Sequence, residues 1–309
     1  MNVAITGACG LLGAHLAAAL SRDHRVVGFD RHAWWGTRAI ELHQGDLADA
    51  GARRDFLADA RPDMLIHCAA LVNVDACEKE PARAYEVNGT LTGLLAREVP
   101  KGCLVVYVTT DGIFPGDRPM RTETDLPCPR TVYGRSKLHG EWATGLATPN
   151  HLIVRTNFYG WSAGVKTTSA EWLYHALEGG RAITLFDDFW FTPIYVVDLV
   201  ERLFALIGGG HRGTFNIVGS ERVSKYDFGM RLAGAAGFGT VNVRRGSIAD
   251  AHLPAPRPKD MSLSSAKLAI ATGRDAPDCA AGLSRFIADR ERPLEQRFSS
   301  SCETISYIS

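Results

Sequence analysis

No charge of either sign predominates in this chain of 309 residues: 34 lysines and arginines stand against 34 aspartates and glutamates. That balance leaves no basic field to attract nucleic acid or acidic lipid, and no run of like charges supplies one locally. Apolar runs are short, none near the roughly 20 residues that cross a bilayer, so no membrane segment is expected. The seven cysteines (Cys9, Cys68, Cys77, Cys103, Cys128, Cys279, Cys302) are odd in number and form no C-x-x-C pair. They read as reduced thiols in a reducing compartment, neither a disulfide frame nor a zinc site. The ten histidines have no metal-ligand spacing, and no metal is expected. His67 lies inside an apolar run and reads as a satisfied core histidine. No basic leader or cleavable apolar stretch precedes the first strand, Val3–Ile5, and a soluble cytoplasmic protein is the expectation.

What the chain does have is alternation. Val3–Ile5, Arg25–Phe29, Met64–Cys68, Leu104–Val108 and Leu152–Val154 are short, continuous apolar runs, the pattern of parallel strands buried on both faces. Helical spacing separates them: Leu12, Leu16 and Leu20 recur every four residues, and Pro81 opens another helical stretch to about Glu98. This predicts an α/β protein, a Rossmann-type doubly wound parallel sheet with a smaller, mixed C-terminal lobe. Residues 1–155 form the dinucleotide-binding domain, with 195–220 returning to it. Residues 156–194 and 221–297 form the substrate lobe, where glycine and proline clusters interrupt the alternation. Residues 298–309, rich in serine, read as a disordered tail.

Gly7-Ala8-Cys9-Gly10-Leu11-Leu12-Gly13 follows the first strand and opens the first helix. In that setting a tight turn brings backbone N–H groups to a pyrophosphate at a helix N-terminus. Gly7 makes the turn, Gly10 lets the backbone approach the phosphates, and Gly13 lets helix and strand pack closely. Asp30 ends the second strand, where a carboxylate accepts from the adenosine ribose hydroxyls and repels a 2′-phosphate. Arg31 beside it can receive that phosphate, so NADPH and NADH both remain candidates. Asp46 and Leu47, after the third strand, are placed near the adenine, and Trp34-Trp35 forms an aromatic wall near adenine or a surface contact.

Tyr133 and Lys137 stand at i and i+4 in a stretch that reads as helix to about Ala147, which puts both on one face. Reducing a carbonyl needs a proton for the developing alkoxide, and a free phenol titrates near 10. An ammonium one turn away favours the phenolate and lowers that value. Thr110 follows the strand Leu104–Val108, at the sheet edge where doubly wound folds place their chemistry. Its hydroxyl can donate to the carbonyl oxygen. Tyr133 and Lys137 come 23 and 27 residues after it. Glycine turn, acidic strand end, hydroxyl, then Tyr and Lys: the order and spacing are hard to obtain by accident.

With these motifs the chain resembles the extended short-chain dehydrogenase/reductase family, most closely its dTDP-4-dehydrorhamnose reductases and related nucleotide-sugar 4-ketoreductases. The similarity runs to about Arg285. It covers TGACGLLG, HCAALVNVDACEKEPARAYEVNGT, TTDGIFPG, YGRSK, RTNFYG, TPIYVVDL, GTFNIVG and RPKDMSLSSAKL. It implies that Thr110, Tyr133 and Lys137 are catalytic, that Asn88 supports a water near Lys137, and that Ala69 and Ala70 face the cofactor. Asp111, Asn157 and Arg257 are then substrate-binding, Arg257 approaching the substrate nucleotide. The implied activity is NAD(P)H-dependent reduction of a 4-keto-6-deoxy nucleotide sugar. Arg244, Arg245, Arg257 and Lys259 form a local positive excess that suits a diphosphate. The expected partners are that substrate and a second copy of the chain in a homodimer. The alternatives are an epimerase on the same fold, or a non-catalytic regulatory subunit like that of methionine adenosyltransferase. Dehydratases of this kind place Asp-Glu after the threonine, whereas Asp111-Gly112 stands here.

Overall fold

The structure is a computed structural model that describes residues 1–34, 40–162, 166–251 and 253–298. Along the chain run strands β1 (Asn2–Thr6), β2 (Arg25–Asp30), β3 (Glu41–Gln44), β4 (Met64–His67), β5 (Leu104–Thr110), β6 (His151–Thr156), β7 (Phe158–Tyr159), β8 (Ile183–Phe186), β9 (Trp190–Phe191), β10 (Ile194–Tyr195), β11 (Gly213–Asn216), β12 (Val223–Ser224) and β13 (Val243–Gly246). The helices are α1 (Leu11–Leu20), α2 (Ala50–Ala60), α3 (Val74–Lys79), α4 (Pro81–Tyr85), α5 (Leu91–Glu98), α6 (Val132–Ala147), α7 (Ser169–Glu178), α8 (Val196–Gly208), α9 (Lys225–Ala236), α10 (Ala266–Thr272) and α11 (Cys279–Ala288).

Seven strands make one sheet in the order β3-β2-β1-β4-β5-β6-β11, and every pairing in it is parallel. This is the doubly wound arrangement, with its switch point between β1 and β4. The apolar runs of β4 and β5 are buried throughout, as strands covered on both faces must be. Only β3, at the edge, carries Glu41, His43 and Gln44. The remaining strands pair two by two in the C-terminal part: β8 with β13, β9 with β12, β7 with β10. Trp161 stacks flat on Phe286 there, ring centroids 4.2 Å apart, and joins α11 to the chain that leaves β7.

Three segments differ from the sequence expectation. The helical stretch opened by Pro81 widens into a π turn at Glu86–Thr90 between α4 and α5. The carbonyl of Asn88 in that turn accepts from the Tyr107 hydroxyl and from Thr92 Oγ1, both at 3.0 Å, which stabilises the wide turn. β5 extends two residues beyond its apolar run, because Thr109 and Thr110 stay paired with Arg155 and Thr156. Phe298, expected to begin a tail, is instead buried in the core, while residues 299–309 lie outside the described residues.

Helix α6 starts behind Thr131, whose Oγ1 accepts from Gly134 N at 2.9 Å, and runs against β5 and the π turn. A Cβ on Gly140 would lie 2.3 Å from the Tyr107 hydroxyl oxygen, so only glycine permits that approach. The next residue, Glu141, takes Arg155 of β6 in a buried ion pair, Nη2 to Oε2 2.8 Å. Removing one partner leaves the other charge buried alone. Glu141→Ala should therefore destabilise the protein by about 3–5 kcal/mol, read from chemical denaturation. A loss below about 1 kcal/mol would show that Arg155 reaches water without its partner.

Candidate active site

Gly7 turns the chain out of β1 at φ +69°, and its N–H donates to Phe29 O at 2.8 Å. Gly10 caps α1 without any side-chain hydrogen bond, so backbone alone faces what binds there. A Cβ on Gly13 would lie 2.1 Å from Gly7 O. The helix thus rests directly on the turn. Both oxygens of Asp30 brace the same region, accepting from Cys9 N at 3.0 Å and His32 N at 2.9 Å. Asp30 is consequently a strut of the glycine turn as well as a wall of the site.

These elements border a cleft of about 570 Å³ outside the carboxyl ends of β1, β2 and β4. Gly7, Gly10, Leu11, Leu12, Gly13, Asp30, Arg31, Asp46, Leu47, Ala69, Ala70, Tyr133 and Lys137 all line it. Thr109 lines it too, and its buried Oγ1 has no hydrogen-bond partner among the described residues. A glycine turn that a Cβ would fill, an uncapped helix terminus and an orphaned hydroxyl fit an elongated ligand with a diphosphate. Arg83 also lines the cleft, held to Asp46 at 3.3 Å and Glu86 at 3.1 Å. No spacing in the sequence singled it out. Trp34 is partly buried against the core, and Trp35 lies outside the described residues.

Tyr133 is pushed above the ordinary phenol range by burial, with the Thr110 hydroxyl opposing. The expected lowering by Lys137 is not what this environment produces. Lys137 is buried, its Nζ donates to Val108 O at 2.8 Å, and it stands 4.3 Å over the Tyr107 ring. Burial lowers its own pKa to about 7. Thr110 Oγ1 donates to Asp111 Oδ1 at 2.9 Å and accepts from Gly112 N at 3.0 Å. Asp111 Oδ2 in turn accepts from Asn157 Nδ2 at 2.5 Å. Burial raises the Asp111 carboxyl, and the bonds from Asn157 and Thr110 counter it. Tyr133, Thr110, Asp111 and Asn157 thus form one connected polar cluster.

Asn88 lies behind the cleft wall. Its Nδ2 donates to Leu71 O at 3.0 Å and Ser136 Oγ at 2.9 Å, and its Oδ1 accepts from Leu71 N at 2.8 Å. With these bonds in place it clamps the segment after β4 to α6 and is not on the cleft wall. The basic cluster also divides. Arg257 pairs with Asp75 at 2.9 Å, Lys259 with Asp188 at 3.5 Å, and Arg245 lies 4.4 Å over the Tyr226 ring. Arg244 and Arg245 belong to β13 and line neither this cleft nor the one that adjoins it. His67 is satisfied in the core, with Thr6 Oγ1 at 2.6 Å and Thr92 Oγ1 at 3.0 Å.

A second cleft, of about 310 Å³, adjoins the first; Phe158 and Ser169 line both. Asn157 and Arg257 stand on its wall among Phe186, Phe189, Phe191 and Trp172. Lys225 stands there as well, and sequence reasoning missed it because nothing in its local pattern separates it from a surface lysine at a helix start. Of the polar cluster, Tyr133 lines the first cleft and Asn157 the second.

A glycine turn at this switch point, with tyrosine and lysine one helical turn apart beside it, is the arrangement of a dinucleotide-dependent oxidoreductase. The chain belongs to the family described as the RmlD substrate binding domain, whose model matches residues 1–292. It is 34% identical over 278 residues to the dTDP-4-dehydrorhamnose reductase of Mycobacterium tuberculosis, covering 87% of each chain. It is 28% identical over 279 residues to methionine adenosyltransferase 2 subunit beta of Rattus norvegicus, covering 86% of this chain and 81% of that one. Among solved structures it resembles a dTDP-4-dehydrorhamnose reductase from Bacillus anthracis in complex with NADP. That likeness has a TM-score of 0.83 and 28% identity, covering 93% of this chain and 98% of that one.

The contact of Gly13 with Gly7 yields a test of the turn. Gly13→Ala must push the turn away from α1, which should lower stability by about 1–3 kcal/mol and weaken dinucleotide binding together. Thermal unfolding and a fluorescence titration with reduced dinucleotide would measure both. Unchanged affinity would mean that the ligand does not use this turn.

Proposed function

We propose that this protein reduces a 4-keto-6-deoxy nucleotide sugar at carbon 4 to the alcohol, using NADPH or NADH. The observation that carries this is that two adjoining clefts are joined by one polar cluster, with Tyr133 lining the first, Asn157 lining the second, and Thr110 and Asp111 connecting them. The first cleft suits a dinucleotide. The second suits a nucleotide sugar, with aromatic walls for a base and the Arg257 guanidinium for a phosphate. The membership of the chain among the RmlD-type proteins, and its likeness to dTDP-4-dehydrorhamnose reductases, support the same substrate class.

When bound, the dinucleotide supplies hydride to the carbonyl carbon. Gly7 and Gly10 would hold its pyrophosphate while Gly13 seats the helix on the turn, Asp30 and Arg31 would hold its adenosine ribose, and Ala69 and Ala70 would lie beside it. Tyr133 gives its hydroxyl proton to the carbonyl oxygen as negative charge develops there. Its raised pKa keeps that proton in place at neutral pH. Thr110 turns its hydroxyl from Asp111 to the same oxygen, and Asp111 keeps the hydrogen bond from Asn157. Lys137 holds the nicotinamide ribose, and as a cation it favours the phenolate that remains after proton transfer.

Tyr133→Phe removes the acid and keeps the ring. Its kcat should fall by about 10²–10⁴-fold with the fold intact, in an assay with a thymidine-diphosphate 4-keto-6-deoxyhexose. Near-full turnover in that variant would refute the role of Tyr133, and equal turnover of simple ketones by the wild type would refute the substrate class while leaving the reductase reading standing.

Lys137 gives a pH dependence. Its pKa is lowered to about 7, so it is cationic below that pH and neutral above it. Dinucleotide affinity should decline as pH rises through about 7, and Lys137→Met should bind weakly with no such decline. A wild-type affinity that stays flat from pH 6 to 8.5 would remove Lys137 from this role.

A further inference from the structure

The mechanism leaves one cation of the second cleft unused. Lys225 follows β12 directly and opens α9 behind Ser224, whose Oγ accepts from Asp227 N at 2.9 Å. Antiparallel pairing sets Val223 opposite Phe191. That register lays the Lys225 ammonium 3.5 Å from the Phe191 ring centroid, with the Phe189 ring at 5.4 Å. The side chain is partly buried on the cleft wall. Among the described residues it makes no ion pair within 4.0 Å and donates no side-chain hydrogen bond. A cation–π contact replaces only part of an ammonium's lost hydration. The ammonium therefore reaches the cleft wall with no oxygen acceptor among the described residues. Arg257, the other cation on this wall, is tied to Asp75 and Ala255 O.

The carboxylate that acts on Lys225 is Asp111, which opposes the effect of burial, itself lowering the ammonium to about 8. Each Asp111 oxygen already takes one hydrogen bond, from Thr110 or Asn157, and each keeps a second lone pair. Asn157 shares the cleft wall with Lys225 and donates to Asp111 Oδ2, so the ammonium and the carboxylate flank the same polar cluster that holds Thr110. The group that satisfies both is a hydroxyl, which donates and accepts at once. With the ketone oxygen at Thr110 and Tyr133, the hydroxyl nearest them is on the carbon beside the ketone. We propose that Lys225 is a specificity-determining residue, donating a hydrogen bond to the sugar hydroxyl next to the carbonyl while Asp111 accepts a hydrogen bond from that hydroxyl. This rests on the ketoreductase function proposed above and narrows it to α-hydroxy ketones.

The test compares a thymidine-diphosphate 4-keto-6-deoxyhexose with its 3-deoxy analogue. The wild type should prefer the hydroxylated sugar by roughly 100-fold or more in kcat/KM, because the analogue leaves Lys225 and Asp111 unpaired. Lys225→Met keeps the stem on Phe191 and removes the donors. It should raise KM for the hydroxylated sugar by about 10–100-fold and leave the analogue nearly unaffected, so that the preference collapses. Lys225→Arg should recover part of it, with dinucleotide affinity and Tm unchanged throughout. A purely structural role for Lys225 would lower Tm and weaken both sugars alike, and that outcome overturns the proposal. So does an undiminished preference in Lys225→Met, or in Lys225→Gln should the methionine variant not fold. A wild type that reduces both sugars equally overturns this proposal alone. One that reduces neither overturns the ketoreductase function and this proposal with it.

Discussion

The seating of α6 on β5 around Tyr107 is the constraint on which the rest of the site depends. Tyr107 is wholly buried in β5, and its hydroxyl donates to Asn88 O in the π turn. Its ring stacks on His67 on one side and lies beneath the Lys137 ammonium on the other. Gly140 brings α6 close enough for all of this at once, and Thr131 sets where the helix begins. Side chains one turn apart can share a task only if the helix that carries them cannot slide. The Glu141–Arg155 pair fixes the same helix against β6. Position, not chemistry, is what most of the buried polar residues here supply.

That distinction separates what could be read in the sequence from what could not. The continuous apolar runs gave the parallel strands, and the glycine turn after β1 located the dinucleotide cleft, because both signals are local and periodic. Gly7, Gly10, Gly13, Asp30, Asp46, Ala69 and Ala70 line that cleft, whereas Thr110 and Trp34 do not. Asn88 was assigned to water near Lys137, yet its side chain is held by Leu71 and Ser136. Nothing in the spacing of Glu86–Thr90 signals a π turn, since it arises from contacts with β5 and α6. Lys225 was illegible for the same reason: its surroundings come from β9, β12 and the end of β5. Burial of charge is a tertiary fact.

The charges around the second cleft show why composition alone misleads. A positive excess between Arg244 and Lys259 suggested a diphosphate site. Folding distributes those groups to Asp75, to Asp188 and to the Tyr226 ring. Exposed pairs of this kind contribute little to stability, but they decide which cations face a ligand. Arg257 reaches the cleft already partnered, and Lys225 reaches it with its donors available.

The polar cluster at the junction of the clefts also accounts for how one threonine can serve two partners. Asp111 is buried and its carboxyl is raised, with Asn157 and Thr110 holding it in check. A carboxylate so supported can release the Thr110 hydroxyl without becoming an unsatisfied buried charge, because Asn157 remains bonded to its other oxygen. Thr110 is then free to turn toward a carbonyl oxygen, while Gly112 N continues to fix its position from below. The same step strips Tyr133 of the hydroxyl that lowers its pKa, at the moment when the substrate oxygen takes over as its partner. In the proposed reaction, exchange of one hydrogen bond would couple arrival of a ketone to readiness of Tyr133, and Asn157 behind Asp111 would keep the loss small.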